Sequence, residues 1–182
     1  MPSSLQKNIV LYLFIGFLII GVTACKPKVS PTGRDFLSKV SSDISVLATD
    51  ISATMHTQDT SNAVEVICEW VGKTSLSTNE YLAVGLLDSS GTDFFSYDLI
   101  KCTGFVSEGK AGDYSGYKAM KPLLKGNKFS TGTIHWEGIP YGIVCRVVES
   151  GKTNSGVVIL FLSPESIQNA DITIDQFSNN VL

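Results

Sequence analysis

The chain has 182 residues, 43% of them hydrophobic, with 14 basic against 17 acidic residues and a formal net charge of −3. That balance excludes nucleic acid as an ordinary electrostatic partner, because neutralising phosphates needs clustered Lys and Arg. Outside the amino-terminal segment, about 150 residues remain, enough for one globular domain with a sizeable core, and no internal repeat or low-complexity tract divides them.

The amino terminus carries one positive charge, Lys7, followed by an uncharged apolar run from Ile9 to Val22. At about 14 residues the run is nearer a signal-peptide core than the ~20 needed to span a bilayer. Thr23 and Ala24 are small, and Val22-Thr23-Ala24-Cys25 resembles the bacterial lipobox. The resemblance implies that residues 1–24 are a signal removed before Cys25, whose thiol carries diacylglycerol through a thioether. The new amine is then usually acylated as well. Two or three acyl chains give a durable membrane anchor where one alone binds only marginally. An uncleaved signal anchor is the competing reading. Cleavage leaves residues 25–182 in an extracytoplasmic space of the cell envelope, with 13 basic and 17 acidic residues. Lys26, where an inner-membrane retention signal has Asp, leans toward the outer membrane.

Three cysteines then remain, Cys68, Cys102 and Cys145. An odd number allows at most one internal disulfide, and no CxxC or CxxCH spacing signals zinc or haem. They read as small buried apolar residues, and neither metal nor cofactor is expected. Residues 25–33 are polar with two prolines and read as a lipidated cysteine and tether, ahead of a domain over 34–178.

From Asp35 the apolar positions Leu37, Val40, Ile44, Leu47, Ile51 and Met55 recur at steps of three and four, which predicts a long amphipathic helix. Its other side, with Ser41, Ser42, Asp43 and Asp50, suits water. A shorter helix follows, capped by Thr60 or Ser61, with Val64, Ile67, Cys68 and Val71 on one face and Gly72 at its end. The period then shortens. "YLAVGLL" (81–87), the turn "DSSG" and "DFFSYDL" (93–99) predict a strand, a turn and a partner strand. Residues 113–124 read as a short helix limited by Pro122. "KFSTGTIHW", "IPYGIVCRVV" and "GVVILFLS" predict three more strands, and Ser163-Pro164-Glu165 opens a terminal helix. The fold class expected is α+β, a five-stranded antiparallel sheet packed on the long amino-terminal helix, with a short carboxy-terminal helix.

The hairpin "VGLLDSSGTDFFSY" and the closing stretch "FSTGTIHWEGIPYGIVCRVVESGKTNSGVVILFLS" resemble the single Cache family of extracytoplasmic sensor domains, relatives of the PAS fold. The likeness covers about residues 34–165 and rests on glycines and hydrophobics at turn spacing. It implies a small-molecule-binding sensor with its ligand on the sheet face away from the long helix. Such sensors usually lie between two membrane helices and feed an output module. This sequence shows neither, so the expectation is a sensor that reports to a separate signalling or envelope protein.

If Glu137-Gly138 form a hairpin turn, Trp136 pairs with Ile139, His135 with Pro140, Thr133 with Gly142, Thr131 with Val144 and Phe129 with Arg146. One face then carries Trp136, Ile134, Ile139, Tyr141, Ile143, Cys145 and Val147 and is expected to meet the long helix. The other carries His135, Thr133, Thr131, Phe129 and Arg146, which together suit a small organic ligand bearing a carboxylate. The same pattern also describes the wet side of an antiparallel sheet. The connection Lys101–Leu124 is the expected lid, with Tyr97, Tyr117 and Lys121 reaching inward. Catalysis finds little support: His56 and His135 are the only histidines, a serine paired with His135 has no acid at motif spacing, and GxSxG, HExxH and phosphate-loop patterns are absent from the sequence. The alternative function is a structural or assembly lipoprotein that holds another envelope protein and takes no small ligand.

Overall fold

The computed structural model describes residues 29–74, 80–106, 118–151 and 153–179. Helix α1 (Pro31–Asp50) is opened by Ser30, whose Oγ accepts the Gly33 N–H, with Pro31 at the first helical position. Pro31, Thr32 and Gly33, expected in the tether, therefore form its first turn. One residue, Ile51, separates α1 from α2 (Ser52–Thr57), and its N–H still bonds back to the Leu47 carbonyl. The predicted stripe survives this break. Leu37, Val40, Ile44, Leu47, Ile51 and Met55 are all buried. At about 1.5–3 kcal/mol per fully buried large side chain, that stripe rather than intrinsic propensity holds the helix.

Asp59, one residue earlier than expected, caps α3 (Thr60–Val71) by accepting the Ser61 and Asn62 N–H groups. The buried face of α3 is Ala63, Ile67 and Trp70, with Cys68 exposed. Asp43, expected on the wet side of α1, is buried instead. Its backbone carbonyl accepts the Trp70 indole N–H at 2.8 Å, and its carboxylate accepts the Tyr81 hydroxyl at 2.8 Å.

The sheet has six strands where five were expected: β1 (Tyr81–Leu87), β2 (Asp93–Asp98), β3 (Thr103–Val106), β4 (Phe129–Trp136), β5 (Ile139–Ser150) and β6 (Thr153–Leu162), in the order β3-β2-β1-β6-β5-β4. Every neighbouring pair is antiparallel. The additional strand, β3, comes from the connection read as a lid. "TGFV" is four residues long and exposed throughout, too short and too wet to show a strand period. The carboxy-terminal helix is also two, α5 (Pro164–Asn169) and α6 (Ile174–Asn179), and Pro164 follows a Ser163 cap as expected.

The two faces of the sheet build two cores. On the front, α1, α3, α5 and α6 cover Val84 and Leu86 of β1, Phe95 and Tyr97 of β2, Val144 and Val148 of β5, and Val158, Leu160 and Leu162 of β6. On the back, α4 (Met120–Leu124) brings Met120 and Leu123, with Ala119 beside them, onto Ile134, Ile143, Cys145, Val157 and Ile159. Because β5 and β6 are covered on both sides, both of their faces are apolar. No helix among the described residues is long and apolar enough to cross a membrane.

Candidate ligand site on the back of the sheet

The expected β4–β5 register is the observed one, from Trp136↔Ile139 through Phe129↔Arg146. The assignment of its two faces is reversed. Phe129, Thr131, Thr133 and Arg146 look toward the front, the side of α1, while Ile134, Ile143 and Cys145 belong to the back core under α4. Gly142 explains how the front closes. A Cβ there would stand 2.4 Å from Ile167 Cδ1 and 2.9 Å from Phe177 Cε1, so α5 and α6 settle where a side chain is missing. The threonines serve the same docking. Thr131 Oγ1 donates to the Phe177 carbonyl at 2.7 Å, and Ser178 Oγ donates to Thr133 Oγ1 at 3.4 Å.

The expected site residues are therefore dispersed. Phe129 is in the front core. Arg146 is half-buried on the same face, and His135 is exposed near the hairpin tip. Tyr97 is buried on the front with its hydroxyl 3.5 Å from Cys68 Sγ. That hydrogen bond, then burial, pushes the phenol up to about 12. Lys121 is exposed on α4 and is the one expected site residue among the described residues that lies on the back. Tyr117, residues 107–117 of the expected lid, and Cys25 lie outside the described residues.

Helix α4 packs over the β4–β5–β6 half of the back face, in a core that also reaches Leu87 of β1 and the edge of Phe161. From β3 across to β6, cross-strand neighbours on this face form two rows. One runs Thr103, Asp98, Ala83, Phe161 and the other Phe105, Ser96, Gly85, Ile159. Gly85 matters here. A methyl group on it would meet Phe161 Cε2 at 3.3 Å, so the half-buried ring lies against bare backbone in the middle of the sheet. Across β1 from this ring, β2 carries acidic and hydroxyl groups. Ser96 Oγ donates to Asp93 Oδ2 at 3.1 Å, and Asp93 is buried. Asp98 Oδ1 accepts the Ile100 and Lys101 N–H groups at 2.9 Å each, and its other oxygen is 3.7 Å from Lys101 Nζ. An aromatic shelf with the Asp98 carboxylate and the Ser96 hydroxyl across β1 can stack an apolar body and accept hydrogen bonds from an ammonium group.

Sequence reasoning passed over this shelf because its members come from four strands and no two of them form a motif. The signal present was a glycine inside an apolar strand, which marks a close approach. Among the described residues no cluster of three or more His, Cys, Asp or Glu side chains could hold a metal ion.

No protein-family model matches the chain, and no curated protein matches it. Solved structures do. The sensory domain of the Campylobacter jejuni chemoreceptor Tlp3 (CcmL) aligns with a TM-score of 0.59 at 16% identity, over 76% of this chain and 57% of that one. The ligand-binding domain of the Pseudomonas fluorescens chemoreceptor CtaA, in complex with L-isoleucine, aligns with a TM-score of 0.52 at 14% identity, over 93% and 64%. A domain of a sensory box/GGDEF family protein from Vibrio parahaemolyticus gives 0.53 at 16%, over 72% and 56%. The chain spans less than two thirds of each of these structures. At such identities the likeness is one of fold, and the fold is that of Cache-like bacterial sensory domains.

Proposed function

We propose that this chain is a lipid-anchored, extracytoplasmic sensory domain that binds a small molecule on the back of its sheet and reports to a separate protein. The anchor is acylated Cys25, and the folded domain follows a short tether. The ligand is an amino acid or a close analogue, with its apolar part on Phe161 and its ammonium toward Ser96 and Asp98. One observation carries the site: a half-buried aromatic ring laid over Gly85 at the edge of the back core, facing Ser96 and Asp98 across β1. The binding of amino acids by neighbours of the same fold supports the ligand class. The proposal moves the site from the expected Arg146 and His135 face because α1, α5 and α6 occupy that side.

The test is isothermal titration calorimetry of the full chain in detergent micelles against a panel of L-amino acids and small carboxylates. Phe161→Ala is expected to weaken a hit about tenfold, the equivalent of about 1.4 kcal/mol of stacking and burial. Asp98→Asn should weaken it while keeping the turn. Arg146→Ala should leave it unchanged. Loss of binding in Arg146→Ala with Phe161→Ala unaffected would return the site to the front face. A panel without any hit would replace this reading by one in which the domain holds a protein partner.

A further inference from the structure

The strands give the domain two ends of different character. Tyr81 and Gly142 both pair with Leu162, and Ala83 pairs with Asp98. The start of β1, the end of β2, the start of β5 and the end of β6 therefore share one end. The β2–β3 and β4–β5 turns lie there. They present Ile100 at 70% exposure, Trp136 at 65% and Ile139 at 47%, three of the six large hydrophobics exposed among the described residues. The opposite end carries the turns of Asp88–Gly91 and Ser150–Gly151, where the exposed side chains are serines. Apolar tips at one end and polar tips at the other are what a domain standing on an apolar surface would show.

The amino terminus enters at the apolar end. Ser30 lines an open groove of about 540 Å³ together with Pro140, next to Ile139, and with residues of α5 and α6. Val29 packs against the front core, and Ser30 Oγ lies 3.4 Å from the Asp171 carbonyl. The chain is thus held to the domain from Val29 onward. Four Cα steps separate Val29 from Cys25, which can span at most about 14 Å. An anchor at Cys25 keeps this end of the domain close to the bilayer.

We propose that the end formed by the β4–β5 and β2–β3 turns is a membrane-docking surface, with Trp136 and Ile139 inserted at the headgroup level and Ile100 resting beside them. The proposal rests on the membrane-anchored reading given above and adds the orientation of the domain. The β4–β5 hairpin extends three residue pairs beyond Gly142, the last β5 partner of β6, or about 10 Å. It is therefore the part that reaches deepest. The two turns are about four strand spacings apart across the sheet, roughly 19 Å, so they contact the surface at two separated points. Trp suits this position because its ring is apolar and its N–H stays wet. Exposed groups nearby have mixed sign, Lys101 and His135 against Glu137, Asp171 and Asp175. The attraction is accordingly apolar, without a requirement for anionic lipid.

The two tryptophans make the test direct, since Trp70 is wholly buried. The full chain is reconstituted in phosphatidylcholine vesicles, with and without phosphatidylcholine brominated in its acyl chains, and its acylation state is read by intact mass. Tryptophan emission from the exposed component is expected to fall by about half with brominated lipid, as for a ring at the interface. Trp136→Phe should remove the bromine-sensitive component. Anionic lipid should change nothing. Equal emission in the two vesicle types, with the chain still vesicle-bound, overturns the docking surface, and so does quenching that persists in Trp136→Phe. An unacylated chain held by its apolar run overturns the lipid anchor alone, and its quenching still decides the docking surface. A chain that leaves the vesicles overturns both.

Discussion

Replacing Tyr81 by Phe isolates one buried hydrogen bond. Tyr81 is 1% exposed, and its hydroxyl donates to Asp43 Oδ2 at 2.8 Å inside the front core. Its ring packs against Trp70 with centroids 5.5 Å apart, a contact Phe retains. Only the hydroxyl is lost, and with it a hydrogen bond to a buried carboxylate. Such bonds contribute about 1.5–3 kcal/mol, and desolvation without the donor raises the expected loss to about 2–3 kcal/mol. At roughly 2–4 °C per kcal/mol for a domain of this size, Tm should fall by about 4–12 °C. The pH dependence has a definite sign. Burial first, and then the charge of Asp43, raise the phenol above its ordinary 10.0. Above that pH the unfolded chain has released this proton while the native chain keeps it. Stability then declines with rising pH, by about 1.4 kcal/mol per unit from this residue. Tyr81→Phe lacks that decline, so its deficit against the wild type should narrow above pH 10. Urea titrations at neutral pH and above pH 10, with the Asp43→Ala and double variants, measure each part. A deficit below about 0.5 kcal/mol at neutral pH, or strict additivity with Asp43→Ala, would refute the reasoning.

Two further substitutions probe the sheet. Gly156 sits at φ +148°, and a Cβ there would stand 2.2 Å from the Leu87 carbonyl oxygen. Gly156→Ala must push β1 and β6 apart and should cost about 2–5 kcal/mol, read as a lower urea midpoint, and a cost under 1 kcal/mol would show that the strands do not approach this closely. Cys145 is fully buried and its thiol is pushed up to about 12, whereas Cys68 and Cys102 are exposed, and all three are free thiols. Iodoacetamide on the native chain should label Cys68 and Cys102 and reach Cys145 only in denaturant, and rapid labelling of Cys145 without denaturant would contradict the packing of the back core.

The helix stripe from Leu37 to Met55, the pairing of β4 with β5 and the Ser163-Pro164 helix start were all readable in sequence. Each depends on residues close together in the chain, where spacing alone sets geometry. The same Ser-Pro signal at Ser30-Pro31 opens α1, although the prolines and polar residues around it read as tether. Asp43 shows the opposite case. A carboxylate on a helix suggests a wet face, yet partners 27 and 38 residues away, Trp70 and Tyr81, make its burial tolerable. β3 was missed because four exposed residues carry no period, and only the edge of β2 makes them a strand.

What the sequence determined by itself was the long helix stripe, five of the six strands, the alternation along them and the β4–β5 register. These follow from backbone geometry within a few residues. Which face of the sheet meets α1 was decided by the tertiary structure alone. β5 and β6 are apolar on both sides, so neither strand can distinguish its neighbours. The choice falls to Gly142, which admits Ile167 and Phe177, and to Thr131, which bonds the Phe177 carbonyl. Once these far-separated residues closed the front, the β6–β1–β2 part of the back, with Phe161 over Gly85, became the shelf proposed here as the ligand site.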